Sequence, residues 1–308
     1  MLHEFLVVLG QVATLFLMMG AGYVLGKKGH MPEQTTKDMS YVLLYVVTPC
    51  IMVDTLQTEM TGGAMLALLA GAAALVVCYG VQAVLALTLF RKQPRDRQAP
   101  LRFGSVYGNT GFMGLPLVQA VLGKEALIYA VVTMVIFNLF SWTHGVVLMG
   151  GRENFSLKKA ILNPGVIGFL LGAPLLILQL RLPAPVHSAV GFLADLNTPL
   201  AMLVVGAQMS RARLDVLFKK PELYAASAVK LLAVPLVTLL LLTPLHLDRL
   251  FFVTAVILAA TPTAGVTSMF ALRFGRDEET SAQLVTLGTL LSVITLPCIG
   301  LLAQTIAH

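Results

Sequence analysis

Ser105-Val106-Tyr107-Gly108-Asn109-Thr110-Gly111-Phe112-Met113-Gly114-Leu115-Pro116 lies inside an apolar run from about residue 98 to 122. Three glycines, an Asn and a Pro in twelve residues do not sustain a continuous helix. Inside a bilayer, broken helix is tolerated only where protein or a wet cavity covers it. The stretch therefore predicts a membrane helix interrupted near its middle, with Asn109 or Thr110 capping the restart.

A second run, 249–273, carries a matching interruption: Leu258-Ala259-Ala260-Thr261-Pro262-Thr263-Ala264-Gly265-Val266-Thr267-Ser268. Pro262 has no amide hydrogen and clashes with the preceding turn. Thr261-Pro262 has the form of an N-cap followed by proline at the first helical position. Each restarting half-helix presents free amide hydrogens and roughly half a positive charge. Two such ends brought together make an electropositive crossing suited to a carboxylate. The expected substrate-binding residues are Asn109, Thr110, Gly111 and Phe112, then Thr261, Pro262, Thr263 and Ala264. Asn138, from a polar face on the fifth run, joins them. A kink without a ligand is the competing reading.

The surrounding chain fits a lipid solvent. Its 308 residues are 57% hydrophobic and 12% charged, against about 25% charge in soluble domains. Apolar runs of spanning length fall near 5–27, 40–57, 62–90, 98–122, 125–149, 163–181, 186–210, 221–243, 249–273 and 279–305. The first is long enough to be a retained helix rather than a signal peptide. The loops after the odd-numbered spans hold three, five, three, four and two Lys or Arg, together 17 of the chain's 21. The loops after even-numbered spans hold only Lys124, Arg181 and Arg249. By the positive-inside rule the odd loops are cytoplasmic, so both termini lie outside an inner, cytoplasmic membrane. The same alternation accounts for the net charge of +6 without nucleic acid.

Cys50, Cys78 and Cys298 are scattered in apolar runs and make no disulfide framework or metal site. The sequence holds no G-x-x-x-x-G-K-[ST], H-E-x-x-H or G-x-S-x-G motif. An enzyme and a resident cofactor are both excluded on this reading.

Ten spans divide into two five-span repeats, residues 1–150 and 160–308, and an odd repeat inserts its second copy inverted. Thr48-Pro49 in span 2 echoes Thr198-Pro199 in span 7 at an offset of 150, which also superposes Met52 on Met202. Spans 4 and 9, both interrupted, lie at a similar offset.

Three further residues carry expectations. Lys230 is the sole Lys or Arg well inside a span. A charge there costs about 2.5–3.5 kcal/mol, so it needs a partner or a task. By the repeat offset it faces the Tyr79–Gln82 region, and it either supports the crossing with Gln82 or snorkels to the interface. Asp195, before the span 7 Thr-Pro, is either a proton or cation site or a solvated helix end. Gln283, Thr286, Thr289 and Ser292 form a polar stripe on span 10 that either packs helices or lines a cavity. Gly22 with Gly26, Gly104 with Gly108, and Gly168 with Gly172 form G-x-x-x-G pairs suited to close packing.

With these motifs in place, the sequence resembles the bacterial branch of the auxin efflux carrier family, which includes proteins described as malonate and malate permeases. The resemblance rests on Asn109 to Pro116, on Thr261-Pro262-Thr263-Ala264 followed by Arg273-Phe274-Gly275, on the span 2 Thr-Pro, and on Lys230-Leu231-Leu232 with Pro235. It covers essentially the whole chain. It implies an all-α membrane fold of the bile acid and auxin carrier type, with crossed helices 4 and 9. It also implies a scaffold of spans 1, 2, 6 and 7, a transport domain of spans 3–5 and 8–10, homodimerisation and an elevator-like movement. Plant members carry Asn-Pro-Asn near the first crossing, where this chain has Gly108-Asn109-Thr110, and it lacks their long central loop. Both departures point away from auxin.

The function expected is secondary transport of a small mono- or dicarboxylate. An anion channel or a membrane sensor is the alternative. H+ or Na+ is the candidate coupling ion, and the lack of a carboxylate cluster favours protons or uniport.

Overall fold

The apolar runs become helices because lipid leaves the backbone no other hydrogen-bond partner. A computed structural model describes residues 2–58, 62–211 and 220–307, with side chains from residue 9 onward. Thr61 of the second break and most of the basic loop between Arg211 and Pro221 lie outside the described residues.

Among the described residues every regular element is helical. In order they are α1 (Leu2–Lys27), α2 (Glu33–Thr55), α3 (Gly62–Thr88), α4 (Arg95–Val106), α5 (Thr110–Leu122), α6 (Lys124–Gly150), the short α7 (Leu157–Ile161), α8 (Pro164–Ile177), α9 (Ala184–Met209), α10 (Pro221–Leu245), α11 (Arg249–Ala259), α12 (Val266–Arg273) and α13 (Glu278–Ile306). Seven are long and apolar enough to cross a membrane: α1 from Leu9, α2, α3, α6, α9, α10 and α13. Three more, α5, α8 and α11, are apolar but shorter. The protein is thus a multi-pass membrane protein. α2 starts at Glu33 rather than near residue 40, because a polar first turn precedes the apolar run.

Caps mark several starts. Asn163 Oδ1 accepts from the Val166 amide at 3.0 Å, with Pro164 at the first helical position of α8. Asp248 does the same for α11 and Asp277 for α13.

Four helices contain a widened, π-type turn: Leu43–Val47, Thr110–Gly114, Ser141–Gly145 and Val229–Ala233. Three of these end two residues before a proline, at Pro49, Pro116 and Pro235. A proline donates no amide hydrogen and crowds the preceding turn, so the helix relaxes just upstream. The fourth, which holds His144, has no such proline.

Packing separates the helices into two groups. α1 lies along α9, and α2 lies against α8 and α9. Glycine makes both contacts close: a methyl group on Gly22 or Gly206 would strike the backbone of Leu203 or Met19, and one on Gly168 would come within 2.7 Å of Pro49 Cα. The second group packs α3 to α6 with α10 to α13. Between the groups, α1 touches α5 and α13, α8 touches α6, and α9 reaches the first turn of α5. At one end of the second group, two reciprocal ion pairs tie α4 to the α12–α13 connection. They are Arg276 to Asp96 at 2.9 Å and Arg97 to Asp277 at 3.2 Å.

Candidate functional site

The two interruptions meet inside the second group. α4 ends at Val106 and α5 restarts at Thr110; α11 ends at Ala259 and α12 restarts at Val266. Between them the chains form a short antiparallel bridge centred on Gly108 and Thr263. The Asn109 amide donates to Pro262 O at 2.7 Å, and the Ala264 amide donates to Tyr107 O at 3.1 Å. Exchanging residues 107–109 with 262–264 turns each bond into the other, so the bridge has local two-fold form. It satisfies backbone groups that would otherwise be stranded at membrane depth.

The bridge demands close approach. A methyl group on Gly108 would meet Thr261 Oγ1 and lie 2.8 Å from Lys230 Cε, and one on Gly104 would lie 2.9 Å from Thr263 Cγ2. Gly108, Asn109, Thr110, Thr261, Pro262, Thr263 and Ala264 are all buried, while Gly111 and Phe112 are half-buried. The structure brings all nine together.

Their side chains play unequal parts. Asn109 Oδ1 accepts from the Phe112 amide at 3.2 Å and caps α5. Thr263 donates its hydroxyl hydrogen to Gly104 O at 2.8 Å and ties the second break to α4. The Thr110 hydroxyl, 1% exposed, has no hydrogen-bond partner among the described residues. Buried hydroxyls in helices usually bond to a carbonyl three or four residues back. Those of Thr286, Thr289 and Ser292 on α13 do so, which makes that stripe self-satisfied, and Gln283 is held by Lys220 and Glu279.

The expected cap at Thr261 is not formed. α12 begins at Val266 after Gly265, with no side-chain cap, and Thr261 Oγ1 donates backward to Leu258 O at 2.7 Å. The reason is the bridge: residues 262–264 are extended to pair with 107–109, so proline cannot open the helix. The amides of Thr267 and Ser268 then bond the carbonyls of Ala264 and Gly265. The two restarts therefore offer fewer free amides than a pair of bare helix ends.

Lys230 lies in the widened turn of α10, 1% exposed, and its ammonium donates to Ala259 O at the end of α11. Its Nζ is also close to Gly108. Among the described residues no carboxylate pairs with it. Snorkelling is thereby excluded, and the cation belongs to the crossing. Gln82 does not touch it. Gln82 Nε2 donates to Thr238 Oγ1 at 3.2 Å, in a small cavity also lined by Tyr79, Thr133 and Ala259. The Tyr79–Gln82 region therefore approaches Lys230 by way of Ala259.

Two expected residues lie elsewhere. Asn138 bonds Met134 O at 2.9 Å and faces Gly165 at the start of α8; Met134 Sδ is in turn the nearest group to Gly111. Asp195 is exposed, 4.0 Å from Lys124 Nζ, at the turn inside α9 where the segment Ala184–Asp195 gives way to Asn197–Met209.

Three further features stand around the crossing. Thr267, in the first turn of α12, has a fully buried hydroxyl without a partner among the described residues. Gln208 of α9 points its Oε1 at Gly265. Tyr107 Oη lies 2.8 Å from His144 Nδ1 and donates to Phe140 O at 3.1 Å. The sequence order of these residues does not show the contacts, which depend on the neighbouring helices.

Comparison with known proteins points to membrane transport. The family model described as "Membrane transport protein" matches residues 7–157 and 152–299, nearly the whole chain. The chain belongs to that family, the auxin efflux carriers. This family member is similar to an uncharacterized transporter of Methanothermobacter thermautotrophicus, with 25% identity over 93% of this chain and 95% of the relative. A Rhizobium meliloti protein with the provisional name malonate transporter is 24% identical over 69% of each chain. An uncharacterized transporter of Methanocaldococcus jannaschii is 23% identical over 65% of this chain and 68% of its own length. The chain is accordingly a membrane transporter, not an enzyme.

Proposed function

We propose that this carrier moves a small organic anion, a mono- or dicarboxylate of malonate type, by elevator-like alternating access. The observation that carries the reading is Lys230: a buried ammonium at the meeting of two helix breaks, with only a carbonyl for a partner among the described residues. A buried cation is costly unless paired. An anion at the crossing would supply the missing charge, with the unpartnered Thr110 and Thr267 hydroxyls as further donors. The provisional name of the Rhizobium relative suggests malonate as the first compound to try.

The ten-span reading is supported by the seven long and three shorter apolar helices. α4 with α5 and α11 with α12 make the two broken spans. Inverted repeats over 1–150 and 160–308 are supported by the two-fold form of the bridge. They are supported too by the pairing of α1 with α9 and of α8 with α2, which the same exchange would interconvert. In this reading α1, α2, α8 and α9 form the scaffold, through which a homodimer would assemble. α3 to α6 and α10 to α13 would move against it. The basic odd-numbered loops orient the chain in the cytoplasmic membrane with both termini outside.

The test is a thermal-shift and counterflow series on the purified protein with malonate, malate and acetate, with and without sodium. Wild type is expected to be stabilised by a dicarboxylate and to show saturable counterflow, which a channel or sensor does not. Lys230→Met should keep the fold and lose at least about tenfold in affinity, near 1.4 kcal/mol. Undiminished binding by that variant would remove the crossing as the site.

A further inference from the structure

His144 has no part in the anion site, yet its surroundings are unusual for a histidine in an apolar helix. It sits in Ser141–Gly145, the one widened turn among the described residues that no proline explains. Such turns recur at functional positions. Its Nδ1 is 2.8 Å from Tyr107 Oη, and Tyr107 Oη also bonds Phe140 O at 3.1 Å. A phenol has a single hydrogen, and a carbonyl oxygen can only accept. Tyr107 must therefore donate to Phe140 O, and His144 Nδ1–H must donate to Tyr107. That arrangement fixes the tautomer and leaves a lone pair on Nε2. The Nε2 atom is buried and has no hydrogen-bond partner among the described residues.

Tyr107 connects this histidine directly to the crossing. The residue that holds the imidazole through its hydroxyl also accepts the Ala264 amide through its carbonyl. A rearrangement of the bridge therefore moves the hydrogen-bond partner of His144.

The charged and titratable groups around His144 can be named. Tyr107 faces it from the end of α4. Tyr79 of α3 stacks on Phe140, with ring centroids 5.6 Å apart. Arg276 holds Met149 O, and Lys159 and Arg273 line a cleft with Trp142 and Val146. Lys230 stands at the crossing itself. Apart from Asp96, which pairs with Arg276, these groups are cationic or neutral, and no carboxylate contacts the imidazole among the described residues.

We infer that His144 is the proton-binding site of a proton–anion symport, with Tyr107 linking its protonation to the crossing. The inference rests on the carboxylate-carrier reading above and adds its coupling ion. Nε2 takes one proton to give an imidazolium, and the same proton leaves when the neutral ring returns. A buried imidazolium among cations is unfavourable alone and favourable beside an anion. Proton and anion therefore raise each other's affinity, as two linked sites must.

The experiment uses the full chain in proteoliposomes with labelled malonate. Two measurements separate the readings: counterflow at equal pH, and uptake under an imposed inward-directed pH gradient with lumenal acidification followed by a trapped dye. In wild type the gradient should raise initial uptake by at least about fivefold, the low end of ordinary coupling between sites, and malonate should acidify the lumen. His144→Gln should keep counterflow and lose both gradient effects. Tyr107→Phe should respond more weakly to the gradient, measured relative to its own counterflow. Gradient stimulation that survives in His144→Gln overturns the inference, as does wild-type counterflow without malonate-dependent acidification. Loss of counterflow in His144→Gln would make the residue structural and overturn it equally. Absence of wild-type counterflow with any carboxylate would instead overturn the carrier reading on which it rests.

Discussion

The first break spends three residues outside a helix, Tyr107 to Asn109; the second spends six, Ala260 to Gly265. Each contributes one extended three-residue stretch to the bridge, and there the two are equivalent. The additional residues of the second break and the side chains on both are not. Asn109 caps the first restart, whereas the second has no side-chain cap. Lys230 binds the carbonyl end of α11, on the second side. The Thr110 hydroxyl is unengaged among the described residues, and the Thr263 hydroxyl is bonded to Gly104. Buried backbone groups must be paired, and both breaks meet that requirement in the same way. Side chains carry no such obligation, and the chemistry of the two breaks differs.

The largest expected effect breaks the bridge itself. Gly108→Ala places a methyl group on Thr261 and 2.8 Å from Lys230 Cε. It should cost about 1–3 kcal/mol through overpacking and abolish transport. Gly111→Ala is its control, since the nearest group there is Met134 Sδ at 3.6 Å. Melting in detergent and malonate counterflow read both, and similar outcomes for the two variants would contradict the packing described.

A smaller effect sharpens the division of labour between the threonines. Thr263→Val removes the hydrogen bond to Gly104 and should lower stability by about 1 kcal/mol. Thr110→Val removes no such bond. It should leave melting nearly unchanged while weakening malonate binding about tenfold. Titration calorimetry and melting on the same preparations separate the two, and equal behaviour would erase the distinction.

The smallest effect lies at the charged end of the crossing helices. Burial raises the Asp277 carboxyl, but hydrogen bonds from the Thr280 amide and hydroxyl and from Arg97 outweigh it, and the net displacement is below the ordinary carboxylate value. A lowered folded-state pKa means a contribution that is present above the unfolded value and lost as pH falls through the folded one. Asp277→Asn should therefore lower melting slightly at neutral pH, by the roughly 0.2–1 kcal/mol of a partly exposed ion pair. The difference from wild type should vanish in acid. A difference that persists below the carboxylate range would show that the cap to Thr280, not the charge, is what matters.

Much of the architecture was readable from residue order. The apolar runs, the alternating basic loops and the two interruptions are one-dimensional signals, because helix length, loop charge and proline placement act within a single segment. Lys230 stood out for the same reason: a charge in an apolar run is anomalous without knowledge of its neighbours. The Thr261 cap signal fails because a strand-like pairing competes with helix-start chemistry, and its partner lies more than 150 residues away. Thr267, Gln208 and the Tyr107–His144 bond were invisible because a lone polar residue in a membrane helix has many ordinary uses.

By itself, the sequence determined that this chain is helical, where its helices are broken and which residue types stand at the breaks. The tertiary structure decided which of those residues hold the fold and which are left with unspent hydrogen bonds. Helices form from local backbone bonding, whereas a buried hydroxyl or ammonium is satisfied or not according to what another helix brings to it.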